Sequence, residues 1–367
     1  LYDPPRYGVK TSLSECYSAG VRVIMITGDN GETAKGIAKK INLENYEQVI
    51  TGNELEKMSD EELFEAVKTV NIFARVYPNH KMRIVNALQK DNKVVAMTGD
   101  GVNDAPALKK SNVGIAMGER GTNVAKESAD LILLDDNFNT IVKTIENGRN
   151  IYKNIKKAIS YIIAIHIPIA LLSLLVPMFK LPTLLLPIHV MLLELLIDPT
   201  SSIIFQRIKP SKDIMKEQPR NIKESIINLK SVLSSISKGF LIFIVVFITY
   251  FLVSKMKDTS MAITIAYSTL VLSIMLITYQ LKGDELTLKA CVKSFKDKAS
   301  LLVNLGVILG LIILVYVPIF NKIANTMPLE LKCWILIISL VLTAILPFDI
   351  FKFIKRWTYV KFLDTFF

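Results

Sequence analysis

The segment TGDGVNDAPAL (98–108) sets two aspartates, Asp100 and Asp104, among glycines directly after the apolar run VVAM. Gly99 and Gly101 let the backbone turn sharply and come close to a ligand. Carboxylates so placed suit Mg2+, which takes oxygen ligands and shares phosphate oxygens with its protein. A second segment, MITGDN (25–30), repeats the shape with Thr27, Gly28 and Asp29. A threonine hydroxyl and backbone N–H groups at a strand end can hold a phosphoryl group. A third, VYPNHKMRIV (76–85), sets Lys81 early in a helix. Beside the other two it can neutralise phosphoryl charge. TGD alone is a weak signal and a lone helix lysine is usually solvated, so the weight rests on the eleven-residue string.

Different chemistry is suggested by LLELLIDPTSS (192–202), which lies within an apolar run. A charged side chain at membrane depth costs about 2.5–3.5 kcal/mol on insertion scales. On a helix Glu194 and Asp198 share one face. Pro199 removes an N–H bond and disturbs the preceding turn. Freed carbonyls are tolerated at that depth where they line a cavity. Thr200, Ser201 and Ser202 add oxygens, and a hard cation such as Ca2+ takes about 6–8 of them. A polar helix–helix pair is the plainer alternative. His166, in a neighbouring apolar run, could pack as a neutral group or serve an ion or a proton. Pro168 should kink that helix, and His189 should be interfacial.

The elements that position these groups fall into two halves, 1–150 and 151–367. The first alternates strands with amphipathic helices. VRVIMITG (21–28), QVITG (48–52), IFARV (72–76), VVAMTG (94–99), VGIAM (113–117) and LILLD (131–135) read as short buried strands. Helices are expected over 32–42 and 59–70, the latter opened by a Ser59/Glu62 capping box. Such alternation implies a parallel sheet that binds ligands at the carboxyl ends of its strands. The second half predicts an all-α bundle of six membrane spans, at about 158–178, 184–205, 239–254, 261–281, 300–320 and 333–351. Lys and Arg crowd the loops after the second and fourth spans and the C-terminal tail. By the positive-inside bias those loops, residues 1–150 and the C-terminus share the cytoplasmic side.

Composition agrees with a soluble part joined to a membrane part. The chain has 367 residues, 51% apolar, with a formal charge of +11. The basic excess lies mostly beside apolar spans and no nucleic-acid motif accompanies it, so nucleic acid is not an expected partner. Cys16, Cys291 and Cys333 are far apart and form no CxxC pair, which argues against a disulfide framework or a thiolate metal site. The first residue is Leu1 and no signal peptide follows, so a piece of a longer protein is expected.

DPPR (3–6), MITGDN (25–30), FARVYPNHK (73–81) and TGDGVNDAPAL (98–108), in that order and followed by membrane helices, resemble a P-type ATPase of the calcium-pump-like, cation-transporting branch. The resemblance runs through the whole chain and covers the second half of the phosphorylation domain plus the last six membrane helices. It implies an α/β haloacid-dehalogenase-like, Rossmann-like partial domain and ATP-driven transport of a cation, Ca2+ first, across the cell membrane through an aspartyl phosphate. It implies ATP and Mg2+ as cofactors. Thr27, Gly28 and Asp29 would contact the phosphoryl group, Lys81 would stabilise it and Asn103 would hydrogen-bond it. Asp100 would bind Mg2+, with Asp104 orienting Lys81 and the metal shell. Asp3 and Arg6 would lie at the hinge toward a nucleotide-binding domain, and Arg75 would be structural or near the nucleotide. Glu194 and Asp198 would ligate the transported cation.

Several departures qualify the resemblance. The nucleophilic aspartate of a DKTG motif is not in this chain, and the nearest string, DKAS (297–300), falls between two membrane spans. The fragment alone is therefore expected to be inactive. TGNE (51–54) only superficially resembles a dephosphorylation motif and reads as a turn. The actuator domain, the nucleotide-binding domain and the first four membrane helices would lie elsewhere. Where calcium pumps carry Asn and Glu in the preceding helix, alignment suggests His166 and Ile169, and STLVLSIML (268–276) carries no carboxylate. These losses imply one ion site rather than two. Mn2+, Na+, K+ and H+ remain alternative cargoes, and a truncated non-catalytic membrane subunit or a soluble-type phosphatase remains an alternative protein.

Overall fold

The computed structural model describes residues 5–199, 203–221, 224–256, 258–283 and 285–364, the side chains of 196–199 and 355–364 excepted. Its contacts divide it into two units, Leu1–Asn150 with Pro210–Glu224, and Ile151–Lys209 with Ser225–Phe367.

The first unit is built on six short strands: β1 (Met25–Ile26), β2 (Val49–Thr51), β3 (Ile72–Ala74), β4 (Ala96–Gly99), β5 (Val113–Met117) and β6 (Leu131–Leu133). They form two parallel three-stranded sheets, ordered β1-β3-β2 and β4-β5-β6. Parallel neighbours need crossovers, which the helices between them supply. β3 is central and all three of its residues are buried, which is why IFA is apolar on both faces. VRVIMITG yields only a two-residue strand because Val21 N–H bonds back to the Cys16 carbonyl, ending the preceding helix instead of joining a sheet. Ile26 of β1 packs against both a cluster containing Phe73 and Ile84 and one containing Val85 and Met97. β1 and β4 thus share core, bridged by helix Pro78–Lys90, yet are not hydrogen-bonded to each other.

Helix starts follow the local chemistry. Asn30 accepts from Thr33 N–H to open helix Gly31–Ile41. Ser59 and Glu62 form the expected capping box, although that helix ends at Ala66. Thr51 and Glu54 form a second one, so TGNE starts helix Gly52–Lys57 and is not a turn. Segment 210–224 belongs to this unit because Arg149 donates to the carbonyls of Ile214 (3.0 Å), Glu217 (2.7 Å) and Ala19 (2.6 Å).

The second unit is helical. Among the described residues five helices are long and apolar enough to cross a membrane: Phe138–Met178, Leu229–Met256, Thr259–Lys282, Lys298–Tyr316 and Leu331–Ile354. The first of these begins before the unit does, at Phe138. It is continuous through Pro168, with no break at the expected kink. The span expected at 184–205 appears as the 13-residue helix Pro187–Pro199, too short to count with the five; residues 200–202 lie outside the described set. The third, expected to be shortest, has 28 residues. The span expected at 300–320 breaks after Tyr316, since Pro318 has no N–H, and a short helix Pro318–Ala324 follows. Asn321 Nδ2 takes up the carbonyls of Leu314 (2.8 Å) and Val315 (2.9 Å) left at the break. Thr259–Lys282 is the most enclosed span, with 83% of its apolar window buried. Helix Leu229–Met256 meets the first span at Gly239, where a Cβ would stand 2.3 Å from the Ala164 carbonyl oxygen. His189 is fully buried within the helices, its ring tilted against that of Tyr267 with centroids 4.6 Å apart.

Candidate functional site

β4 ends at Gly99, and the chain turns at once through a 3-10 turn, Val102–Asp104, into helix Ala105–Lys110. Asp104 is 5% exposed and anchors the turn. Its Oδ2 accepts N–H bonds from Asp100 and Gly101, both at 3.2 Å, and its Oδ1 pairs with Lys81 Nζ. Lys81 is the fourth residue of helix Pro78–Lys90. Only glycine fits at 99, where a Cβ would come within 2.4 Å of Asp104 Cβ. The structure thus brings Lys81, Asp104 and the 99–101 backbone into one cluster. Asp100 and Asn103 are exposed beside it, and Thr122 N–H holds the Asp100 carbonyl at 2.8 Å.

At the end of β1, Thr27, Gly28 and Asp29 form a second small turn. Thr27 Oγ1 accepts from Asp29 N–H at 3.1 Å and donates to Asp29 Oδ2 at 3.2 Å. Gly28 faces open space. Arg75 N–H bonds the Asp29 carbonyl at 2.9 Å, and Val76 N–H the Thr27 carbonyl at 3.1 Å. Arg75 itself is exposed with φ 50°, a left-handed conformation unusual for a side-chain-bearing residue. Its carbonyl oxygen presses on Gly52, where a Cβ would stand 2.1 Å away. The backbone of Arg75 is therefore a structural tie, whatever its guanidinium does.

The donor set discriminates between the two aspartates for Mg2+. Asp104 already serves two N–H groups and a lysine, which leaves it little capacity as a ligand. Asp100 presents an exposed carboxylate, and no group of three His, Cys, Asp or Glu side chains that could hold a metal occurs among the described residues. A single carboxylate fits Mg2+, which binds through one or two of them plus phosphate and water.

Arg6 donates to the Asp136 carbonyl at 2.5 Å, while Asp3 lies outside the described residues. Asp136 is a residue the sequence reading passed over. Its carboxylate accepts from Gly118 (2.7 Å), Glu119 (3.2 Å) and Arg120 (3.0 Å) N–H, fixing the loop after β5. Burial pushes its carboxyl up, but the N–H donors of Arg120, Glu119 and Gly118 and the Arg6 charge hold it below the usual value. Asp136 sits 18 residues from Gly118 in the chain, so only an acidic residue at a strand end, next to Asp135, hinted at it.

In the second unit His166 Nε2 lies 3.4 Å from Glu194 Oε1, with both side chains about half exposed. His166 Nδ1 is 2.9 Å from the Ile162 carbonyl oxygen. Ile169 is buried. Asp198 lies on the same helix as Glu194, but its side chain, with Thr200, Ser201 and Ser202, is outside the described residues. DKAS (297–300) is a helix cap: Asp297 Oδ2 accepts from Ser300 N–H (3.3 Å) and Oγ (2.7 Å), and Oδ1 accepts from Arg207 (3.0 Å).

Comparison with known proteins gives three family matches, one of them to haloacid dehalogenase-like hydrolases over residues 80–145. Residues 182–354 match the C-terminus of cation transporting ATPases, and residues 1–112 match haloacid dehalogenase-like hydrolases. The chain is 37% identical over 343 residues, 93% of its length, to a calcium-transporting ATPase of Bacillus subtilis, of which it covers 38%. It is 36% identical over 97% of its length to calcium-transporting ATPase 1 of Lactococcus lactis, covering 40% of it. It is 32% identical over 97% of its length to calcium-transporting ATPase type 2C member 1 of Bos taurus, covering 38% of it. The chain therefore spans about two fifths of the length of these relatives.

Proposed function

We infer that this chain is a portion of a P-type cation-transporting ATPase, and that within the longer protein it helps to form and hydrolyse an aspartyl phosphate and carries part of the cation path. The observation that carries the first role is the Lys81–Asp104 pair, held at the carboxyl end of β4 by two backbone N–H bonds. A buried carboxylate fixes the ammonium where phosphoryl charge would develop, so no reorganisation is needed as the reaction proceeds. Thr27 Oγ1 and the open backbone at Gly28 would bind phosphoryl oxygens, and Asn103 would add a side-chain donor. Asp100 would hold Mg2+, which when bound supplies positive charge between phosphate oxygens. The receiving aspartate would come from sequence outside these residues. A strand carrying it would find unpaired edges on β1 and β4, which share core without being joined.

For the second role, Glu194 and Asp198 on one helix are the proposed ligands of the cargo, with Ca2+ favoured by the names of the relatives. Glu194 and His166 lie on a face where Ile162, Met191 and Leu195 are also exposed. A polar pair on an apolar face at membrane depth calls for a cover of further helices rather than lipid. Residues 1–150 and the C-terminus would share the cytoplasmic side of a cell membrane, a reading supported by the Lys- and Arg-rich loops. The test is ATP hydrolysis by the full-length protein across Ca2+, Mn2+, Mg2+, Na+ and K+. Glu194→Gln and Asp198→Asn are expected to weaken the dependence on the transported cation. Unchanged cation dependence in both variants would refute this site.

A further inference from the structure

We propose that helix Thr287–Ser294, with Phe295 just beyond it, lies in the cytoplasmic headgroup layer of the bilayer and seats on anionic phospholipid. A helix packed on a core normally turns its large apolar residues inward. This helix does the reverse. Its buried positions are Thr287, Ala290 and Ser294, with Cys291 half-buried beside them, all of them small. Leu288, Val292 and Phe295 are exposed, Val292 by 67%. At about 3.6 residues per turn these three share one sector of the helix, and Lys289, Lys293 and Lys296 fill the next. The roll of the helix is fixed from the buried side. Asp349 of the last span, itself buried, accepts from Thr287 N–H at 2.8 Å and Thr287 Oγ1 at 2.6 Å. The apolar sector is therefore held outward.

The place of this helix in the chain points to lipid as the partner. Lys282 ends one membrane-capable helix and Lys298 begins the next, so short linkers tie Thr287–Ser294 to two spans. A segment so tethered stays at the membrane surface. An apolar sector beside a lysine sector is the pattern of a helix lying in that plane. Leu288, Val292 and Phe295 would sink to the acyl boundary, while the lysine stems reach up to the phosphates. Neighbouring acids are engaged within the chain: Glu285 with Lys293 at 2.9 Å, and Asp297 with Arg207 at 3.0 Å. Lys289 and Lys296 add positive charge of the kind that anionic headgroups attract. The proposal rests on the membrane reading of the two flanking helices and needs neither ATP nor a transported ion.

The test places p-benzoylphenylalanine at position 292 of the full-length protein, held in nanodiscs of equal parts phosphatidylcholine and phosphatidylglycerol. Photoadducts are read by mass spectrometry. The same group at 305, an exposed position midway along the following span, is the reference for lipid contact. The expected result is lipid adducts at both positions, with phosphatidylglycerol enriched about 3-fold or more at 292 and not at 305. Lys289→Gln, Lys293→Gln and Lys296→Gln combined should return position 292 to the bulk ratio. A probe at 288 repeats the measurement if the protein carrying it at 292 does not fold. Lipid adducts at 305 with none at 292, adducts at 292 to protein alone, or a ratio that is unenriched or indifferent to the lysine substitutions would overturn the proposal. Lipid adducts at neither position would remove the membrane reading of the span, and this proposal with it. Enriched adducts at 292 in a protein that no cation stimulates to turn over ATP would uphold the lipid seat and remove the transport reading.

Discussion

Asp104→Ala is the substitution that most sharply probes the phosphate loop. It removes three bonds at once: the Lys81 ion pair and the acceptor for the Asp100 and Gly101 N–H groups. Lys81 is 19% exposed and Asp104 7% by side chain, so the stranded ammonium stays mostly out of water. Breaking a buried pair costs about 3–5 kcal/mol. The residual access of Lys81 to solvent and relaxation of the loop place the expected loss at the lower limit, about 3 kcal/mol. That corresponds to a ~100-fold larger population of the locally opened loop, and to exchange faster by the same factor. Hydrogen exchange with mass spectrometry on the full-length protein reads this directly for peptides covering 97–110. Asp104→Asn retains an acceptor oxygen and should show a smaller rise. An increase of less than about 3-fold in Asp104→Ala, near 0.6 kcal/mol, would mean that the pair does not hold the loop.

Gly99→Ala should disturb the same loop without touching its polar groups, since the added Cβ would meet Asp104 Cβ at 2.4 Å. Overpacking of this kind costs about 1–3 kcal/mol, so exchange in 97–110 should rise and ATP turnover fall together. Asp297 is held down to about 2 by the Ser300 hydroxyl and the Arg207 guanidinium. Its folded value lies below its unfolded one, so its contribution is present above about pH 4 and lost as pH falls toward 2. Exchange protection at the start of helix Lys298–Tyr316 should fall through that window in the wild type and stay flat in Asp297→Asn.

Local patterns were the legible part of this molecule. VGIAM (113–117) is a strand residue for residue, because five apolar residues lie between Asn112 and Gly118. The capping box at Ser59 and the helical place of Lys81 depend on neighbours within four positions and were equally readable. TGNE was misread because Thr–x–x–Glu is itself a capping box, a signal stronger than the presence of glycine. The break at Pro318 could have been seen, since proline cannot continue the hydrogen-bond ladder. Pairings over long sequence distances had no such signal. Arg149 reaches residues 19, 214 and 217, His166 reaches Glu194, and Asp136 reaches back to Gly118. Each depends on how helices and strands pack, which residue type and spacing do not encode. The burial of His189 against Tyr267 likewise follows from the packing of another helix.

The proposed service of Lys81, Asp100 and Asp104 to an aspartyl phosphate has a direct test. The full-length protein is incubated with radiolabelled ATP and quenched in acid. The expected result is a cation-dependent, acid-stable and hydroxylamine-sensitive phosphoprotein in the wild type, with its formation or decay strongly impaired in Asp100→Asn and Lys81→Ala. No phosphoprotein under any cation condition, or one whose turnover is indifferent to both substitutions, would contradict it.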